Sequence, residues 1–170
     1  MGRVRFLRRA YLLVSRDGQR PVYDDYVIAH RVRAAQMLPE LRFAIPKAGQ
    51  KYPSSSWNAQ LVAMRVAAVA PDRVDTLEDA VFGAMFRELR DISDPAVLRD
   101  CCRSVGVPEE EVETAIESEE LRERAMAEHE EGEDAGVTAI PALVIPNLPP
   151  ITGAVPVDMY RQALRYALDA

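Results

Sequence analysis

Residues 136–146 read GVTAIPALVIP. Gly136 closes a helical run, Pro141 stands alone ahead of the segment ALVI, and that segment is short and rich in strand-forming residues. PNLPP, residues 146–150, follows as a turn, ITGA as a second short strand, and PVDMYRQALRYALDA as a helix that opens at a proline. The C-terminal part is therefore expected to be a hairpin followed by a helix.

Ahead of this ending the sequence is helical. Asp24 or Asp25 caps a helix through YVIAHRVRAAQML that Pro39 ends, and residues 39–53, with three prolines and Gly49, form an ordered loop. SSSWNAQLVAMRVAAVA places Trp57, Leu61, Met64 and Ala68 at helical spacing behind a serine cap. DTLEDAVFGAMFRELRD carries one stripe of Leu77, Val81, Phe82, Met85, Phe86 and Leu89. SDPAVLRDCCRSVG has Asp94 or Ser93 as cap, Pro95 at the first helical position and Gly106 past the end. PEEEVETAIE and SEELRERAMAEHEEGEDAG are two more helices, each with acids in its first turn, where the helix dipole favours them. At the other end VRFLRRAYLLV, residues 4–14, alternates and then turns wholly apolar, as a strand entering a covered sheet does.

A chain of 170 residues with 48% hydrophobic content has the size and composition of one ordinary globular domain. Its net charge is −6, with eight Arg against three Asp in residues 1–35 and fourteen acids against three Arg in residues 100–135. No helix concentrates basic charge on one face, so a nucleic-acid partner is not expected. Arg8 and Arg9 interrupt the N-terminal apolar stretch, which rules against a signal peptide, and no run of ~18 apolar residues exists for a membrane span. Two adjacent cysteines, Cys101 and Cys102, are no disulfide framework, and the cytoplasm is the expected compartment.

GVTAIPALVI, ITGAVP and MYRQALRYAL together resemble the second half of the thioredoxin fold: a proline loop, a returning strand with its glycine, and a closing helix. YPSSSWNAQLVA, EDAVFGAMFRELRDISDPAVLRDCCRSVGV and AEHEEGEDAGVTAIPALVI extend the likeness to most of the chain. On these residues the sequence is similar to the DsbA-like branch of that fold, which also contains 2-hydroxychromene-2-carboxylate isomerases. The resemblance implies an α/β, thioredoxin-like fold with an inserted helical domain: residues 1–20 and 136–170 supply the sheet part, residues 21–135 the helical insertion, in a single globular unit. It also implies a cis Ile140–Pro141 bond, a form that composition alone assigns to only ~5–6% of X-Pro bonds. Ala139, Ile140 and Pro141 are then the substrate-holding loop, with Trp57 and Asn58 as residues lining the cleft.

One feature of the family is missing. Its members open with a strand and a C-x-x-C, or a serine variant, ahead of a strand like residues 4–14, and this sequence has no C-x-x-C. The fold is thus expected to be N-terminally incomplete, with a gap at the centre of the sheet. Three arrangements answer that gap: coding sequence upstream of Met1, direct pairing of the strands on either side, or a strand from another polypeptide. The first is expected, since no capped helix or turn precedes Val4.

The functional expectation is a thiol–disulfide oxidoreductase by family, without its redox pair in this chain. A glutathione-dependent isomerase relative and a non-catalytic module binding a peptide or partner remain as alternatives. The partners expected are a thiol or peptide substrate, with a homodimer left open; no cofactor is expected, glutathione excepted.

The other candidates have plainer readings. Neighbouring helical residues point about 100° apart, so one of Cys101 and Cys102 is expected buried and the other half exposed, both structural. His129 in AEHEEGED lacks the second His of H-E-x-x-H, and no metal site is expected there. His30 is expected on the surface. Ser54, Ser55 and Ser56 have no His or Asp placed to activate them and serve as caps.

Overall fold

The computed structural model describes residues 4–12 and 22–169. The chain divides into two compact units, Val14–Arg122 and, together, Met1–Leu13 with Glu123–Ala170.

The first of these is helical. Helix α1 spans Asp25–Met37, α2 Trp57–Val69, α3 Val74–Phe86, α4 Pro95–Ser104 and α5 Glu110–Glu117. Local chemistry sets their starts. The Asp24 side chain accepts from the Val27 N–H at 2.8 Å, and Asp94 accepts from Ala96 N–H at 2.8 Å with Pro95 in the first helical position. At α2 the capping hydroxyl is that of Ser55, which accepts from the Trp57 N–H at 2.9 Å. Helix α3 ends at Phe86, short of the expected Leu89, because Leu89 takes a left-handed φ of 58°. The N–H groups of Glu88 and Arg90 then bond back to the carbonyls of Gly83 and Ala84.

α2 packs on α3, α4 and α5, and α4 also packs on α3 and α5. Their shared core holds Leu61, Val62, Val66, Leu98, Cys102 and Val112, each without accessible surface. The buried face of α2 thus runs through Val62 and Val66, while Ala68, expected on the apolar stripe, is exposed. Phe82, expected inside, is exposed as well.

Helix α6, Glu119–Asp134, carries the chain out of the helical unit. The division between the two units falls inside this helix. Its later turns bear Glu128 and His129, which bind residues 9–12 of their own unit. Beyond α6 come β1, Ala142–Leu143, β2, Ile151–Thr152, and α7, Val157–Asp169. β1 and β2 run antiparallel, Ala142 opposite Thr152 and Leu143 opposite Ile151, and form the two-stranded sheet of the described residues.

The expected strand at 4–14 is not formed in residues 4–12; residues 13 and 14 lie outside the described residues. A strand exists through its ladder, and no strand among the described residues reaches this segment. Side chains of α6 take two of its backbone donors instead. Ala10 N–H donates to Glu128 Oε2 at 2.8 Å, and Leu12 N–H, two residues on, donates to His129 Nδ1 at 3.3 Å. Glu128, 5% exposed, also accepts from Arg9 at 3.3 Å and from Arg124 Nε at 2.9 Å, so its buried charge is fully engaged.

Candidate functional site

The proline loop begins where α6 ends. Gly136 adopts φ 83°, a left-handed turn that glycine enters without penalty, and Val137 N–H bonds back to the Gly132 carbonyl at 2.9 Å. Val137 is buried and its own carbonyl accepts from the Tyr11 hydroxyl at 2.8 Å, which pins the start of the loop. The Ile140–Pro141 bond is cis. β1 follows at once, and its far end is fixed by the turn at Asn147, φ 64°, with Leu148 N–H bonded to the Ile145 carbonyl at 3.1 Å. Tyr160 of α7 donates its hydroxyl to the Gly153 carbonyl at 3.1 Å, holding the end of β2.

This scaffold presents a strand with one free side. β1 pairs with β2 along one edge, and along the other no strand of the described residues lies beside it. From Ala142 on, side chains alternate as a strand requires: Leu143 is half-buried and Ile145 buried, whereas Ala142 and Val144 are exposed; ahead of the strand Ile140 and Pro141 are both exposed, Ile140 at 47%. An unpaired edge flanked by exposed apolar side chains can take up an extended chain by backbone hydrogen bonds. The period-two spacing of Ala142 and Val144 in the strand, with Ile140 just ahead of the proline, was already legible in GVTAIPALVIP. Only Ile140 of these three was among the expected site residues.

Ala139 is half-buried and Pro141 exposed, so the three expected loop residues lie together on this surface. Trp57 and Asn58 are occupied within the helical unit. Trp57 is 9% exposed in the core, and the Asn58 side-chain amide donates to the Ser93 carbonyl at 2.9 Å.

Neither thiol is half exposed, contrary to expectation: Cys101 is 4% exposed and Cys102 has no accessible surface. α4 is covered by α2, α3 and α5, so two directions about 100° apart both meet protein. Burial pushes the Cys101 thiol up, and it pushes Cys102 up to about 11, with Cys101 and Glu111 adding to the shift. Both are free thiols and are held protonated at neutral pH, the opposite of what a nucleophile needs.

His30 is exposed and donates from Nδ1 to the Tyr26 carbonyl at 2.8 Å. His129 accepts from Leu12 N–H through Nδ1 and stands 3.6 Å from Glu133 through Nε2, edge-on to Tyr11. Among the described residues no cluster of His, Cys, Asp and Glu is arranged to hold a metal ion, and no helix is long and apolar enough to cross a membrane.

A proline loop leading into a strand, an antiparallel return and a closing helix define a thioredoxin-like α/β protein, most of whose chain is helical. The family model for the DSBA-like thioredoxin domain matches residues 20–165, and the chain belongs to that family. It is a thiol–disulfide oxidoreductase by family whose own sequence holds no C-x-x-C. Among solved structures it is similar to one from Nitrosomonas europaea assigned as a protein disulfide isomerase, 22% identical, with a TM-score of 0.69 over 87% of this chain and 76% of that one. It is also similar to one from Streptomyces coelicolor assigned as a DsbA oxidoreductase, 18% identical, with a TM-score of 0.72 over 95% and 74%. At these identities the likeness speaks for the fold. No curated protein matches the chain.

Proposed function

We propose that Ala139, Ile140 and Pro141, continued by β1, are the substrate-holding half of a thiol–disulfide exchange site. The occupant is an extended thiol-bearing peptide that lies along the free edge of β1, its backbone paired with the strand and its side chains against Ile140, Ala142 and Val144. The observation that carries this reading is the exposure of Ile140, Ala142 and Val144 beside an edge of β1 that no strand of the described residues pairs with. The reacting thiolate is neither Cys101 nor Cys102; buried and protonated, they serve the helical core. Exchange needs a thiolate to attack a disulfide sulfur while the other sulfur leaves, and that thiolate belongs to a group outside these 170 residues. The compartment is the cytoplasm, a reading that rests on a sequence whose two cysteines are adjacent and form no disulfide framework.

Fluorescence anisotropy with labelled, reduced insulin B chain tests the docking. Saturable binding is expected, weakened about tenfold (~1.4 kcal/mol) by Ile140→Asp and unchanged when Cys101 and Cys102 are both replaced by Ala. Absence of binding, or binding indifferent to Ile140→Asp, would overturn it. Insulin reduction by this chain above the dithiothreitol background would overturn the assignment of the thiolate.

A further inference from the structure

The helical unit contains a cleft of ≈ 590 Å³ lined by α1, α3 and the segment around Phe43 and Tyr52. That volume lies in the range of small-molecule sites, roughly 300–1,000 Å³. Its walls are mainly apolar and aromatic. Phe86 meets Phe43 edge-on and lies nearly parallel to Phe82, both at 5.9 Å between ring centres, and Val27 and Ala34 of α1 complete the lining.

One lining residue is out of keeping with such walls. Arg31 is only 6% exposed, yet no carboxylate of the described residues pairs with it. Its guanidinium lies 4.6 Å from the Phe86 ring centre and 5.7 Å from that of Tyr23, and among the described residues its one hydrogen bond is a long 3.5 Å contact to the Ala44 carbonyl. A guanidinium carries five N–H donors, and a buried one is ordinarily matched by an anion. The other charged groups of the cleft are spoken for: Arg87 binds Asp79 at 3.3 Å, and His30 Nδ1–H is given to the Tyr26 carbonyl. The aromatic stacking on Arg31 fixes the cation in place while leaving most of its donors unfilled.

We propose that this cleft binds a small apolar carboxylate, its body among Phe43, Phe82 and Phe86 and its acid group on Arg31. The site is independent of the proline loop, and its test does not involve thiol chemistry. Isothermal titration of the full chain with 2-naphthoate, against 2-naphthalenemethanol as the uncharged analogue of the same shape, reads it directly. The acid is expected to bind at least tenfold more tightly than the alcohol. Arg31→Met is expected to erase that preference, and Phe82→Asp to abolish binding of both. Phe82 is 59% exposed, so its replacement leaves the fold in place. Equal affinity of the two probes for the unaltered protein, no binding of the acid, or binding that survives Phe82→Asp would each overturn the proposal, leaving Arg31 as an aromatic clamp only.

Discussion

The helical unit and the unit bearing the proline loop bury their side chains very differently. In the first, residues from three helices, α2, α4 and α5, reach zero exposure; in the second, α7 has no buried residue and leaves Val157, Met159 and Tyr166 half or more exposed. A helix satisfies its own backbone and asks of its neighbours only apolar contact, which five short helices can give one another. A strand leaves half of its backbone groups to a neighbour on each side. β1, with a partner on one side, extends for two residues.

The largest expected effect lies in the helical core. Leu98→Ala removes a side chain with no accessible surface and should cost ~2–5 kcal/mol, since a packed core collapses only partly around the void. Trp57, the single tryptophan and itself in that core, makes the urea midpoint readable by fluorescence. A cost near zero would mean that the helical unit is no better packed than the other, and the contrast would fail.

The same core decides the state of the thiols. Iodoacetamide at pH 8 should leave the native protein unlabelled and add two adducts in urea, read by mass spectrometry. Because Cys102 is raised from 9.0 to about 11 in the fold, the folded state holds its proton more tightly than the unfolded chain. The associated stability is complete below about pH 9 and is lost as the pH climbs through about 11. Cys102→Ala should flatten that alkaline decline.

Much of this architecture is written locally. Asp94, Pro95 and Gly106 mark both ends of α4 by capping chemistry that acts over three or four residues, and Gly136 marks the end of α6 in the same way. The fold family follows from GVTAIPALVI and the helix after it. What local pattern does not contain is the neighbour a strand depends on. VRFLRRAYLLV has the composition of a covered strand, yet the N–H groups of its Ala10 and Leu12 go to Glu128 and His129, about 118 positions away. Nothing in AEHEEGED distinguishes those two residues from a solvated helix end until the tertiary fold brings residues 9–12 against them. Arg31 is the same case in reverse: its position within YVIAHRVRAA looks like a surface arginine, and only Phe86 and Tyr23 make it a buried one.

Glu128 offers a middle-sized test of the comparison. Glu128→Ala strands the Ala10 N–H and removes the acceptor of Arg9 and Arg124, for an expected ~1–3 kcal/mol. Amide exchange at Ala10 should quicken by about tenfold or more (~1.4 kcal/mol per factor of ten), while Trp57 fluorescence in urea stays in place. Glu128→Gln, which keeps an oxygen for the Ala10 N–H, should restore much of the protection. If exchange at Ala10 is unchanged in the alanine variant, residues 4–12 are held by something other than α6.

The smallest effect should come from repeating the leucine truncation where burial is incomplete. Tyr160, Ala163, Leu164, Ala167 and Leu168 form the apolar stripe of α7 at helical spacing, and all five are only half-buried. Leu164→Ala removes the same atoms as Leu98→Ala, but part of their surface already meets solvent, so less transfer energy is lost and no closed void is left. A cost of about 1–2 kcal/mol is expected, read from amide exchange in α7. Equal costs at Leu98 and Leu164 would show that the closing helix is as firmly packed as the helical core. A smaller cost at Leu164 means that the unit bearing the proline loop keeps an apolar face still open to cover.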